Sequence, residues 1–236
     1  MSIAEKLQTI AENEQRVFDA GKQAEYDALC DNVQQNGNRT DYRYFFFQTM
    51  FTHIDPKYPI RASNSDSMFG NAVNIETVNW EKFDLTNTSS LYNAFGYCRK
   101  LQSIDTDLAV SVNMATVLNS IFRNCNALVR VKKIMAFPEA VWKNSFDECY
   151  ELVDIIFVGT IGSNGLDMHW STKLSKASIT SIISALSTTT SGLTVTLSTA
   201  AVNKAFETSE GANDGIESAE WKALKETKSN WNIGYA

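Results

Sequence analysis

In the stretch FGYCRKLQSI, Phe95, Cys98, Leu101 and Ile104 stand three apart, separated by residues that are mostly polar or charged. The same spacing returns at Phe122, Cys125, Leu128 and Val131, and again at Phe146, Cys149, Leu152 and Ile155. An upstream copy uses Phe69, Ala72, Ile75 and Val78. The four copies start 26, 27 and 24 residues apart. That is the period of a solenoid and is far too long for a heptad.

In a solenoid each coil contacts only its neighbours, so the residues that recur are the ones that point inward and stack on their equivalents. Phe69, Phe95, Cys98, Leu101, Phe122, Cys125, Leu128, Phe146, Cys149 and Leu152 are therefore the expected core. Asn93, Asn119 and Asn144, each shortly before a Phe, fit a turn position where a side-chain amide satisfies backbone groups. Cys98, Cys125 and Cys149 read as buried small fillers, one per coil. No CxxC pair exists and both histidines lie outside the repeats, so no zinc site of standard spacing forms locally.

The flanks follow other patterns. Ahead of the repeats, Tyr42, Tyr44, Phe45, Phe46, Phe47 and Phe51 form an aromatic block that runs into DPKYPI. It reads as an N-terminal cap over 38–64, or as an aromatic platform for a sugar or peptide. After Trp170, Leu174, Ile179, Ile182, Ile183 and Leu186 lie at helical spacing behind Ser175 as N-cap. SGLTVTLS alternates as a strand, Ser198 opens a short helix to Phe206, Ser218 starts another through Lys228, and WNIGY closes as a strand. In 1–37, Ile3, Leu7, Ile10 and Val17 follow a 4-3 seam, which predicts a helix that docks on the solenoid or pairs with copies of itself.

Composition narrows the function classes. The 236 residues carry a net charge of -6, and no cluster of Lys and Arg offers a nucleic-acid groove. The first residues, MSIAEKLQTIAENEQ, have neither the basic nor the apolar region of a signal peptide, so synthesis in the cytoplasm is expected. No apolar run approaches the roughly 20 residues of a membrane span. The four cysteines are then expected as free thiols.

Chemistry-bearing motifs are sparse. His53 and His169 sit in unrelated segments with no motif that makes either a general base, and GxSxG, P-loop, dinucleotide and HExxH patterns are missing. Asn213, Asp214 and Gly215 suggest a calcium loop, but Trp221 stands where an EF-hand requires Glu, so a turn is expected. Asp147 and Glu148 read as a solvated face. A glycosidase pair of carboxylates distant in sequence is a third-ranked reading. No cofactor or metal is expected.

The run Asn-Ala-Phe-x-x-Cys-x-x-Leu-x-x-Ile at 93–104, and its counterpart from Asn144 to Ile155, resemble the BspA-type leucine-rich repeat over about residues 65 to 160. The chain departs from that pattern at Ala72 and in lacking the Ile-Pro strand after each turn. With its N-terminal helix and LSKASITSIISALS cap, the chain is similar to proteins of gut Firmicutes and their phages. The resemblance implies an α+β fold: a leucine-rich-repeat solenoid at 65–170, the N-terminal helix, and a C-terminal α/β cap at 171–236. It further implies a non-enzymatic module for adhesion or receptor binding, carried on a virion or tail and released by lysis. An assembly subunit without external ligand is the alternative. The exposed positions that vary from coil to coil, Arg99, Lys100, Arg123, Asn126, Glu148 and Tyr150, are the candidate surface for a protein or glycan receptor.

Overall fold

The computed structural model describes residues 24, 25, 27, 28, 41–85, 88–108 and 118–236. Two compact units are distinguished, Met1–Arg39 with Pro56–Tyr58 and Thr40–Asp55 with Pro59–Ala236. In the first, Ala24, Glu25, Asp27 and Ala28 are helical and exposed. The seam residues Ile3, Leu7, Ile10 and Val17 lie outside the described residues. The second unit holds a parallel β-solenoid of about five coils followed by an α/β layer.

The spine of the solenoid is a column of phenylalanines. Phe46 lies 5.1 Å from Phe69, Phe69 5.4 Å from Phe95, Phe95 5.7 Å from Phe122 and Phe122 5.4 Å from Phe146. The first three pairs are stacked within 18° of parallel. Phe46 thus extends the column by one coil ahead of the four copies visible in sequence. In that coil Thr49 stands at the Cys position, and its N–H bonds to Phe46 O as the N–H of Cys98 bonds to Phe95 O.

Phe46, Phe69, Phe95 and Phe122 each sit in a run of interlocking turns whose amides alternate in direction. In the Phe95 coil, the N–H groups of Asn93, Phe95 and Tyr97 donate to Asn119, Ile121 and Arg123 O of the next coil. Those of Ala94, Gly96 and Cys98 donate to Leu91, Asn93 and Phe95 O within the coil. Every amide of the run is paired, which is what allows a loop-like backbone to be buried.

This geometry requires left-handed backbone two residues before and two after each Phe. The pairs are Tyr44 and Gln48, Ser67 and Asn71, Asn93 and Tyr97, Ser120 and Asn124, and Asn144 and Glu148, with φ between 50° and 65°. The expectation for the asparagines is corrected here. Asn93 and Asn144 are placed for their tolerance of this conformation, and the Asn93 amide donates to the side chain of Ser67 rather than to backbone. Asn119 lies one residue off the position, which Ser120 takes, and its Oδ1 is buried without a hydrogen-bond partner.

The cysteines are more than fillers. Cys98 Sγ donates to Phe69 O at 3.1 Å, Cys125 Sγ to Phe95 O at 2.9 Å and Cys149 Sγ to Phe122 O at 3.1 Å. All three are fully buried, and burial raises each thiol far above its usual range, so they stay protonated donors. Leu101, Leu128 and Leu152 are buried beside them.

After the Leu position the chain enters strands. β1 (His53–Ile54) pairs β3 (Thr77–Val78), and β2 (Ile60–Arg61) pairs β4 (Phe83–Asp84), both parallel. β5 (Ser103–Leu108), β6 (Arg130–Ala136) and β7 (Asp154–Gly159) form a parallel sheet in that order. Ile104, Val131 and Ile155 are in register on its buried face.

The outer edge of β7 is closed by the C-terminal layer. Helix α1 (Lys176–Ala185), capped by Ser175, turns serines toward it. Ser178 Oγ accepts the N–H of Ile155 and donates to Val153 O, both at 2.9 Å. Ser181 Oγ accepts the N–H of Phe157 at 2.8 Å. Hydroxyls thus replace the next strand, and the edge is covered. Behind it, β8 (Leu166–Met168), β9 (Leu193–Leu197) and β10 (Trp231–Tyr235) form a parallel sheet in the order β10-β9-β8. α2 (Thr199–Ala205) and α3 (Ala219–Glu226) lie between β9 and β10 in sequence, capped by Ser198 and Ser218.

Candidate recognition surface

Because the turns repeat, residues outside each Phe and Cys line up in columns on one face. The residue after the Phe is Phe47, Gly70, Gly96, Arg123 and Asp147. The left-handed residue before the Cys position is Gln48, Asn71, Tyr97, Asn124 and Glu148, and the residue after it is Met50, Val73, Arg99, Asn126 and Tyr150. The segment from Met168 continues the pattern by part of a coil. Ser171 N–H bonds to Met168 O and Thr172 N–H to Trp170 O, as Cys98 bonds to Phe95 and Arg99 to Tyr97. Trp170 therefore continues the Tyr97 column, and His169 the Arg123 column.

Four of the six sequence candidates come together here. Asn126 Nδ2 donates to Glu148 O at 3.0 Å across the coil boundary. The Arg123 guanidinium lies over the Tyr97 ring, 5.7 Å from its centroid, with Nε 4.0 Å from Asp147. Tyr150, two residues beyond Glu148, is 38% exposed. Arg99 and Lys100 stand earlier in the stack, and Lys100 is drawn the other way, to Glu76 at 3.4 Å.

The structure adds residues that no motif marked. Trp170 is 39% exposed, and its ring meets that of Tyr150 at 5.6 Å and 87° and that of His169 at 4.5 Å. Asp167 Oδ1 accepts the backbone N–H of His169 at 3.0 Å and pairs with its Nδ1 at 2.7 Å, which fixes the imidazole against the indole. Their sequence signal is weak, because the partial coil keeps only Ser171 and Leu174 of the core pattern.

The electrostatics of this end are acidic. Partial burial raises the Asp147 carboxyl above its usual range, Arg123 opposes the rise, and Asp167 and Glu148 add to it. Desolvation and then the Glu148 carboxylate raise the Tyr150 phenol. Glu148 has no ion-pair partner among the described residues.

The outer face of the β5-β6-β7 sheet offers a contrast. A hollow of about 560 Å³ is lined there by Asp105, Arg130, Lys132, Asp154 and Ile156, among others. Its charges answer one another: Arg130 pairs with Asp105, Lys133 with Asp107 at 2.9 Å, and Lys132 with Asp107 at 3.3 Å. Ser175 donates to Asp154 at 3.0 Å. A face whose charges are already matched in this way has less to offer a partner than the turn face.

Among the described residues no group of three His, Cys, Asp or Glu is arranged to hold a metal ion. At Asn213, Asp214 and Gly215 the Asp214 carboxylate instead accepts from Thr208 N and Oγ1, at 2.8 and 2.6 Å, and closes a turn. His53 lies apart from the turn face and bonds Thr77 Oγ1. No described helix is long and apolar enough to cross a membrane. No family model, curated protein or solved structure matches the chain.

Proposed function

We propose that the chain is a non-enzymatic binding module of the BspA-type leucine-rich-repeat kind, which recognises a protein or glycan receptor through its turn face. An adhesion or receptor-binding role on a phage virion or tail is the setting this reading favours. The observation that carries it is the contrast between columns. The core repeats the same residue types coil after coil, while the columns outside it vary most over the last three coils, from Gly96 to Arg123 to Asp147 and from Tyr97 to Asn124 to Glu148, and end in the exposed Tyr150 and Trp170. Repeat stacks commonly use such a varied face on a uniform scaffold for recognition.

The test is binding of the full chain to arrays of extracellular proteins and of glycans, beside a variant carrying Arg99→Ser, Asn126→Ser and Tyr150→Ser. Saturable binding that the triple variant loses, at unchanged thermal stability, supports the reading. A chain that binds nothing on either array, and whose mass by light scattering is that of an oligomer, is an assembly subunit instead.

A further inference from the structure

We infer that Tyr150 and Trp170, flanked by Glu148, form a site for the ammonium or guanidinium group of a basic segment of a protein partner. This rests on the binding-module reading and gives it a place and a ligand class.

Exposed tryptophan is the exception in this chain. Trp80, Trp142, Trp221 and Trp231 are all buried, the most exposed of them at 8%, whereas Trp170 is 39% exposed. It does not stand alone, since the half-open Tyr150 ring meets it nearly at a right angle. Two electron-rich rings at such an angle form a corner, and the negative faces of aromatic rings attract cations.

The same face already contains a worked case of that attraction. The Tyr97 ring is covered by Arg123, which comes from the following coil and also approaches Asp147. Trp170 occupies the Tyr97 column, but the chain then leaves the stack for α1, so no following coil supplies the cation. The nearest lysines downstream are engaged elsewhere: Lys173 with Glu151 at 2.6 Å, and Lys176 with Glu220 at 2.6 Å and over the Phe206 ring. The acidic side of the arrangement is nevertheless present. Glu148 lies beside Tyr150 without an ion-pair partner among the described residues, whereas Asp147 approaches Arg123 and Asp167 holds His169 against one side of the indole. The rings and the Glu148 carboxylate are in place, and a cation for Glu148 has to come from outside. Charge complementarity favours a basic side chain over a neutral sugar.

The experiment is calorimetric titration of the full chain, at physiological salt, with a hexalysine peptide and with the same peptide fully acetylated on its side chains. Hexalysine is expected to bind and the acetylated peptide is not. Trp170→Ala is expected to weaken hexalysine binding about 3- to 30-fold, the range for a cation on an indole face. Glu148→Gln, which preserves shape, is expected to weaken it about 2- to 5-fold. Thermal melts of both variants control for folding, and Glu148→Gln carries the test should Trp170→Ala unfold. Equal binding of both peptides, affinities unchanged in both variants, or no binding of hexalysine would each overturn the cation site. The glycan and protein arrays, repeated with Trp170→Ala, separate the two levels. A neutral oligosaccharide lost on Trp170→Ala replaces the cation site with a sugar site, and array binding indifferent to Trp170 leaves the module standing and sinks this site. Blank arrays together with no binding of hexalysine sink both.

Discussion

The thiol of Cys125 donates to the carbonyl oxygen of Phe95, one coil earlier, at 2.9 Å. The same oxygen accepts the N–H of Cys98 in its own coil at 3.1 Å, so each of its lone pairs has a donor. Replacing Cys125 by Ser keeps a donor and loses volume, whereas Ala loses both. If the sulfur merely filled space, the buried hydroxyl of Ser would be the worse choice. As a donor, Cys125→Ala is expected to cost about 1 to 3 kcal/mol and Cys125→Ser no more than Ala. Urea unfolding of the two variants decides the order.

Phe122 lies between Phe95 and Phe146 in the column and is fully buried. Phe122→Ala is expected to cost about 3 to 5 kcal/mol, the range for removing a packed ring. A loss below about 1 kcal/mol, well under that range, would mean that the rings do not carry the stack.

The N–H of Ile155 is buried and bonds to Ser178 Oγ rather than to a strand. Ser178→Ala leaves it without that acceptor, at an expected cost of about 1 to 3 kcal/mol. Hydrogen exchange at the Ile155 amide should speed up together with the loss of stability. An unchanged exchange rate would show that the helix closes the edge without its hydroxyls.

Hydrogen bonding from Lys133, opposed by partial desolvation and helped by Lys132, holds the Asp107 carboxyl below its usual range. A carboxyl depressed in the folded state stabilises the protein above the ordinary aspartate value of about 3.9 and loses that contribution as pH falls through the lower folded value. Asp107→Asn is therefore expected to flatten the acid limb of the stability curve. Above pH 5 its cost should stay below about 1 kcal/mol, since the pair is solvent-screened. Melting temperatures from pH 2 to 7 would show a steeper acid loss in the parent chain than in the variant, and equal slopes would refute the assignment.

What could be read from sequence is what the core repeats. Phe95, Cys98, Leu101 and Ile104 are all buried, because in a stack the inward residues must match their neighbours. Ser175, Ser198 and Ser218 could be recognised as helix starts because a cap needs a short side-chain acceptor at one defined place. The Phe46 coil was hidden because Thr49 replaces the thiol and neighbouring aromatics blur the spacing. The left-handed sites were only half visible. Asn93 and Asn144 suggest a turn, but Tyr97 and Ser120 adopt the same conformation with no such preference, held there by amides that reach the neighbouring coil. The Trp170 corner was hidden for another reason: its partial coil carries Met168 and Ser171 where the other coils carry Phe and Cys, so the core pattern that marks the register is missing there.

The serine lid on β7 has a consequence for how such a chain can vary. A hydroxyl both donates and accepts, so Ser178 and Ser181 meet the amides and carbonyls that any parallel strand presents, whatever its side chains. The lid thus does not dictate how many coils precede it. Gain or loss of one repeat unit would move the Trp170 end by about one inter-strand distance, roughly 4.8 Å, while the closing contacts remain the same. Reach becomes a quantity that duplication and deletion can adjust in even steps, like links on a chain that ends in the same clasp.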